Sequence, residues 1–189
     1  MKPLKLFMLM LGCTPKGRNT EQHDVYFTIA SSIGDTVPGI LKFWPEANGE
    51  IHIDAWRKVT QLDTMGIEVV SRDRQRANLA MPSFKLFFIN LGGYKAGEFD
   101  EFHYKLLVAA PDKASAIKQA KDTAFYKHTH FKGAESHIDD KFGVDVDNIY
   151  EIDDILPAAL KEKYAIHLSP RKMEFSDELH LGYFTLNNL

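Results

Sequence analysis

The order of apolar and polar residues along the first third of the chain predicts several strands and one helix. Residues 4–11 form a nearly continuous apolar run, which is typical of a central strand. Residues 25–30 are rich in aromatic and β-branched side chains, which indicates a second strand. Residues 51–56 alternate strictly between apolar and polar, and residues 67–70 are apolar, so both predict strands. A helix before them is predicted by the apolar stripe of Val37, Ile40, Leu41 and Trp44.

The same order of elements recurs later in the chain. Strands are predicted at residues 84–91 and 105–110, and a longer helix at residues 112–126. Shorter strands follow near residues 136–139 and 149–152. Each copy is therefore a β-β-α-β-β unit. Hairpins of strands with one helix per unit predict an α+β fold with mainly antiparallel sheets.

Residue identities indicate an internal duplication. Residues 4–30 align with residues 84–110 without a gap, with nine identities in 27 positions, where about two are expected from average residue usage. Further on, His52-Ile53-Asp54 matches His137-Ile138-Asp139. A duplicated unit is expected to pack about a pseudo-twofold axis, as two subunits would. We predict a first repeat unit at residues 1–70, a connector at 71–83, a second repeat unit at 84–156, and a C-terminal extension at 157–189 that packs on the second unit.

The first thirteen residues allow two interpretations. Lysines, an apolar run and Leu11-Gly12-Cys13 resemble a bacterial lipoprotein signal with Cys13 as the lipidated residue. However, residues 5–12 are echoed by residues 85–92 in mid-chain, where no signal can act. We therefore predict that residues 5–12 form a buried strand and that the protein is cytoplasmic. No other apolar run approaches the about 18–20 residues of a membrane span, so no membrane association is expected.

Composition narrows the classes of function. The 189 residues are 44% apolar and 26% charged, which fits a globular protein rather than a disordered one. Lys and Arg total 23 against 26 Asp and Glu, a net charge of −3, so nucleic-acid binding is not expected. A single cysteine excludes an internal disulfide framework and a cysteine-rich zinc site.

One longer motif occurs twice and carries a resemblance. Leu-Gly-x₄-Gly-x₃-Glu-x-His spans residues 11–23 and again residues 91–103. Together with the paired His-Ile-Asp segments and the ending His180-Leu181-Gly182-Tyr183-Phe184, it resembles the bacterial family known as domain of unknown function 1543, in two tandem copies. The resemblance implies a two-copy cytoplasmic protein. It implies no activity, cofactor or catalytic residue.

Two shorter patterns fail as ligand motifs. Gly12-x₄-Gly17 and Gly92-x₄-Gly97 have the spacing of a phosphate loop, but neither is followed by Lys-Ser/Thr and a helix. Turn geometry is the expected reason for these glycines. The acidic segment 145–148 lacks the glycine and final glutamate of a calcium loop, and we interpret it as part of a solvated acidic edge.

The repeated Glu-x-His pairs are the first candidate site. Glu21 and His23, like Glu101 and His103, are two residues apart, so in a strand both side chains project from one face. A carboxylate beside an imidazole can orient it and suit it to general base work. The alternative is that the pairs only tie down the polar loop that precedes them. We expect each Glu-x-His pair to form its own polar site, because a pseudo-twofold axis duplicates any site that lies off the axis.

His52 with Asp54, and His137 with Asp139, repeat the same spacing. They are consistent with a solvated strand face, with a site, or with an interface, because Trp56 is expected on the same face and a large aromatic is seldom left exposed. Two histidines and two carboxylates could hold Zn²⁺ or Mn²⁺, provided that they converge. The sequence does not show convergence, so metal binding stays open, and no other cofactor is expected.

Two classes of function follow. The first is a non-catalytic binding or interaction scaffold, self-associating into a homo-oligomer, with a polar site in each repeat that could take a small-molecule ligand. The alternative is a hydrolase or isomerase that uses Glu-x-His as a general base, with or without a metal. Convergence of Glu21, His23, Glu101 and His103 in one cleft would favour the enzyme, whereas separate surfaces tied to the loop backbone would count against it.

Overall fold

The computed structural model of the chain describes residues 2–73, 84–94, 97–122, 145–171 and 176–189. The chain divides into a first unit, made of residues 1–80 and 155–189, and a second unit, made of residues 81–154. Helices accompany antiparallel sheets, which confirms the predicted α+β class.

The first unit contains a four-stranded antiparallel sheet with the order β10-β3-β1-β2. Its strands are β1 (Lys5–Cys13), β2 (Gln22–Ala30), β3 (His52–Val59) and β10 (His180–Thr185). The central position of β1 agrees with its apolar run. Phe7 and Leu9 are both fully buried, as predicted. Residues 5–12 are therefore a buried strand in the structure.

A short helical segment covers one face of this sheet. It consists of a 3₁₀ turn (Gly34–Thr36), helix α1 (Val37–Phe43) and a second 3₁₀ turn (Pro45–Ala47). Ile40 is fully buried in the core beside β1, but Leu41 is 45% exposed. The predicted four-residue stripe is wrong at Leu41, because the helix points Ile40 at the core and Leu41 follows it about 100° further around the helix, toward solvent.

The second unit contains a three-stranded antiparallel sheet with the order β7-β6-β8. Its elements are β6 (Lys85–Tyr94), β7 (Glu101–Ala110), helix α2 (Lys113–Asp122) and β8 (Asp145–Glu151). Phe87 and Ile89 on β6 are buried. The Asp112 side chain accepts a hydrogen bond from the Ser115 backbone N–H at 2.8 Å and so caps α2. The strand predicted at 136–139 lies outside the described residues.

The C-terminal segment departs from the prediction. After α3 (Ile152–Ile155) and α4 (Ala158–Lys161), strand β9 (Tyr164–Pro170) pairs with β5 (Met65–Ser71), which also pairs with β4 (Gln61–Leu62). Strand β10 then pairs with β3.

The predicted packing of residues 157–189 on the second unit is therefore wrong, since both of their strands pair within the first unit. The physical reason is complementary pairing. β9 places Leu168 opposite Ile67, and both side chains are buried. β10 covers an edge of β3 whose backbone groups would otherwise lack a partner strand.

Across the described parts of the chain, no helix combines the length and apolar character needed to span a membrane.

Candidate functional site

Gly12, near the end of β1, lies between two histidines. In the sheet register it pairs with His23 of β2 on one side and with His52 of β3 on the other. Directly paired residues of antiparallel strands project to the same face of the sheet. Because glycine has no side chain, the two imidazoles can approach each other over this position.

A β-bulge in β3 adds a carboxylate to the same place. The register with β1 shifts between Met10, which faces Ala55, and Leu11, which faces Ile53, so Asp54 is the extra residue. A bulge re-aims side chains and interrupts the alternation of a strand. His52 and Asp54 therefore both lie over Gly12, whereas Ile53 is fully buried in the core.

Gly12 is needed for clearance rather than for a turn. A Cβ at this position would lie 2.5 Å from His52 Nε2 and 2.6 Å from Asp54 Oδ2, closer than real Cβ contacts. The predicted turn role does apply to Gly17, whose φ of 83° is in the left-handed region. The glycine of the Leu-Gly step thus makes room for two polar side chains.

Four side chains form a closed ring over Gly12, which we call the first cluster: Glu21, His23, His52 and Asp54. His23 Nε2 lies 3.3 Å from Glu21 Oε2 and 3.3 Å from Asp54 Oδ2. His52 Nε2 lies 2.9 Å from Glu21 Oε1 and 3.2 Å from Asp54 Oδ1. Each imidazole nitrogen is therefore placed between two carboxylates, and each carboxylate contacts both imidazoles.

One carboxylate oxygen of the ring is buried without a hydrogen bond within the described part of the chain. Asp54 Oδ2 is buried, and among the described residues no donor makes a hydrogen bond to it, although His23 Nε2 is 3.3 Å away. A buried carboxylate oxygen without a hydrogen bond costs free energy, typically about 1–3 kcal/mol or more for a charged group. A positive charge placed within the ring would remove that cost.

Burial is uneven within the first cluster. The His52 side chain is only 8% exposed, while the side chains of Glu21, His23 and Asp54 are about one third to two fifths exposed. The Tyr183 ring of β10 stacks on the His52 imidazole with 4.1 Å between centroids. The tail strand therefore restricts one imidazole, and the open side of the cluster faces solvent.

Trp56 does not share the face of His52 and Asp54, contrary to the expectation from strict alternation. Its ring packs partly buried against the core, with its centroid 6.2 Å from that of Phe7, and stacks on His180 at 3.7 Å. The bulge at Asp54 shifts the alternation, so that Ile53 and Trp56 both lie on the core side.

Cys13 is next to the cluster in sequence but does not contribute to its chemistry. The side chain is buried in the core. Burial raises the pKa of the Cys13 thiol, and the negative charges of Glu21 and Glu50 raise it further. A thiol that keeps its proton is a poor nucleophile and a poor metal ligand.

A second cluster, made of Glu101, His103 and Asp147, occupies the corresponding place in the second unit. Gly92 pairs with His103 on β7 and with Asp145 on β8, and the register shift after Asn90 leaves Asp147 as the extra residue. His103 Nε2 lies 3.3 Å from Asp147 Oδ2 and 3.9 Å from Glu101 Oε2. A Cβ on Gly92 would collide with the Asp147 carboxylate.

The structure brings together six of the eight site residues predicted from the sequence, in two groups. Glu21, His23, His52 and Asp54 meet in one place, and Glu101 and His103 meet Asp147. His137 and Asp139 lie outside the described residues. In the described part of the second unit, Asp145 pairs with Gly92 as His52 pairs with Gly12.

Sequence reasoning missed Asp147 and Tyr183. A signal for Asp147 was present, since Asp145-x-Asp147 repeats the spacing of His52-x-Asp54 with one residue type changed. No comparable spacing marks Tyr183, which reaches His52 only because β10 pairs with β3.

The fold and these clusters define an α+β protein that places histidine and carboxylate side chains over a strand glycine in each of two sheets. Residues 18–69, which include the whole first cluster, match the model of the Domain of Unknown Function family DUF1543. A search of curated proteins gives no match. Among solved structures, the chain is similar to the crystal structure of a protein Il1583 from Idiomarina loihiensis, with a TM-score of 0.60 and 21% sequence identity over 97% of this chain and 98% of that chain. At this identity the likeness shows the fold alone.

Proposed function

We propose that this protein is a non-catalytic binding protein whose ligand at the first cluster is a divalent transition-metal ion. The observation that carries the proposal is the closed ring of two imidazole nitrogens and two carboxylates over Gly12. The equivalent register around Gly12 and Gly92 also supports the proposed internal duplication.

Each contact in the ring is close to the spacing between neighbouring ligands of a metal ion. Zinc is bound by histidine nitrogen and carboxylate oxygen at about 2.0–2.1 Å in tetrahedral geometry, which places neighbouring ligand atoms about 3.3–3.4 Å apart. The four nitrogen-to-oxygen distances are 2.9, 3.2, 3.3 and 3.3 Å. Each carboxylate contacts the two imidazoles through different oxygens, so the side chains must rotate before one atom from each residue lies next to the same ion.

Protons alone satisfy the ring poorly. A neutral imidazole carries one N–H, so an Nε2 atom placed between two carboxylates can serve only one of them well. Asp54 Oδ2 accordingly lacks a hydrogen bond from the described residues. A divalent cation would balance the charges of Glu21 and Asp54 and accept the lone pairs of both nitrogens.

The number of ligands favours binding over catalysis. Structural zinc sites use four protein ligands, whereas catalytic sites keep one position for water or substrate. The first cluster offers four. A metal-assisted hydrolase or isomerase would need one of these side chains to leave the metal and act as a general base, whereas the metal-free alternative would leave the charge of the ring unbalanced.

The test is metal titration of the full chain after chelator treatment. Co²⁺ serves as a spectroscopic probe, because tetrahedral Co²⁺ absorbs visible light far more strongly than octahedral Co²⁺. We expect an intense absorption that Zn²⁺ displaces. His23→Ala should weaken Zn²⁺ binding at this site by more than about 100-fold, since even loss of an outer-shell partner costs about 10- to 100-fold.

The matched control is His167→Ala, which removes a histidine from β9 and leaves the first cluster unchanged. It should retain the Co²⁺ absorption. A wild-type protein without the tetrahedral spectrum, or a His23→Ala protein that keeps it, would contradict the proposal. Asp54→Asn provides a second variant at a partly exposed position, so that a folding defect in one variant does not decide the result.

A further inference from the structure

We propose that the second unit carries a separate metal site at Glu101, His103 and Asp147, weaker than the first and shifted in preference toward Mn²⁺. The inference rests on the proposed function, because it extends the same chemistry to a second place. These residues offer one imidazole nitrogen and two carboxylates, and their ligand atoms all lie within 4.8 Å of one another.

The backbone holds the second cluster as it holds the first. His103 pairs directly with Gly92, and the bulge in β8 makes Asp147 the extra residue. The Asp147 carboxylate fills the space in which a Cβ of Gly92 would stand. Strand pairing does not require a bulge or a glycine here, and together the two allow the Asp147 carboxylate to approach His103.

The second cluster is looser and more exposed than the first. Its nitrogen-to-oxygen distances are 3.3 and 3.9 Å, and its three side chains are 30–41% exposed. Three protein ligands leave the other coordination positions to water. Both features lower the affinity for a metal ion.

One residue type accounts for the expected change in preference. Where the first unit has His52 opposite its strand glycine, the second unit has Asp145 at the equivalent register position. The second unit therefore has one imidazole fewer to offer. Imidazole suits zinc, whereas carboxylate and water suit manganese, so the loss of one imidazole weakens Zn²⁺ binding more than Mn²⁺ binding.

The experiment isolates the second cluster in the full chain. The double variant His23→Ala, Asp54→Asn disables the first cluster, and Mn²⁺ binding is then followed by loss of the electron paramagnetic resonance signal of free Mn²⁺. We expect saturable binding of one ion, with paramagnetic broadening of the His103 ring signals in the NMR spectrum. The ratio of the Mn²⁺ to the Zn²⁺ dissociation constant should be at least about tenfold smaller than at the first cluster, in line with the loss of one imidazole.

Adding His103→Ala should abolish the saturable Mn²⁺ binding, and Asp147→Asn should weaken it in a protein whose circular dichroism is unchanged. The control adds His167→Ala instead, and it should change neither the saturable Mn²⁺ binding nor the circular dichroism. If the double variant binds Mn²⁺ no better than the protein that also lacks His103, the second site is refuted while a tetrahedral Co²⁺ spectrum of the wild type still supports the first. If the two clusters have equal metal preference, the role given to Asp145 is wrong.

Discussion

The substitution Gly12→Ala tests the geometry of the first cluster with a single methyl group. The new Cβ would lie 2.5 Å from His52 Nε2 and 2.6 Å from Asp54 Oδ2, where ordinary contacts begin at 3.4 Å. Each ligand atom must therefore retreat by about 0.8–0.9 Å, well beyond the roughly 0.2 Å by which metal–ligand distances vary. The change leaves all four ligands in the chain and moves two of them.

Two free energies change by different amounts. The Asp54 carboxylate is partly exposed and can rotate away, but His52 is buried beneath Tyr183 and cannot. The free energy of unfolding without metal should therefore fall by about 1–2 kcal/mol, the lower part of the range for overpacking. Displacement of two ligands should weaken Zn²⁺ binding at least 100-fold, which corresponds to about 2.7 kcal/mol.

The assay is unfolding of the first unit with and without Zn²⁺, followed by tryptophan fluorescence. Both tryptophans, Trp44 and Trp56, belong to the first unit, so the signal reports on it alone. At a Zn²⁺ concentration 100 times the wild-type dissociation constant, the ion should stabilise the wild type by about 2.7 kcal/mol and Gly12→Ala by about 0.4 kcal/mol or less.

Two controls separate the steric effect from a general loss of stability. Gly17→Ala strains a left-handed residue that has nothing within 4 Å of its Cβ, so it should lose stability and keep its response to zinc. Gly92→Ala creates the same collision in the second unit and should not affect the first. A Gly12→Ala protein with the wild-type response to zinc would refute the reasoning.

Three further predictions concern the core, the thiol and the tail of the first unit. Phe7→Ala should lower the free energy of unfolding, measured with denaturant, by about 3–5 kcal/mol. Leu41→Ala, at a half-exposed position, should lower it by about 0.5 kcal/mol or less. Equal decreases would mean that the buried face is misassigned. Cys13 has a raised pKa, so its folded thiol keeps a proton that the unfolded thiol releases. The free energy of unfolding should therefore fall as pH rises through the ordinary thiol pKa. Rapid labelling of the folded protein by a thiol reagent at pH 8 would count against this. Asp177 accepts hydrogen bonds from the backbone N–H and the hydroxyl of Thr60 and from the backbone N–H of Gln61. Asp177→Ala should therefore speed hydrogen exchange in β10. Unchanged exchange there would show that strand pairing alone holds the tail.

Most strands could be predicted from the sequence because each buries a recognisable apolar pattern. Residues 4–11 and 84–91 are so apolar that only a central strand suits them, and both are central in their sheets. The tail was assigned to the wrong unit because its strands carry no information about their partners. Which edge β9 and β10 complete depends on pairing between residues 93 to 133 positions apart, and the alternation within one strand does not identify its partner.

The site was half predictable for a similar reason. The spacing of Glu21 with His23 and of His52 with Asp54 places each pair on one face of a strand, but it does not say that β1 separates the two strands. The bulge was not foreseen, because the sequence of β3 reads as strict alternation through residue 56. Convergence therefore depends on two features that single-strand patterns do not contain: the order of the strands and one extra residue.

The same two features explain how the units could differ in ligand while they share a backbone plan. Gly12 and Gly92 clear the space, Asp54 and Asp147 enter it from a bulge, and His23 and His103 flank it from the neighbouring strand. None of these positions needs to change for the chemistry to change. The remaining cross-strand position opposite the glycine is histidine in one sheet and aspartate in the other, so the second unit offers one imidazole fewer while the glycine keeps its cross-strand partner. If the units arose by the duplication that we propose, metal preference is the property that could diverge at the smallest structural cost, because in our proposal it changes with one residue on one strand.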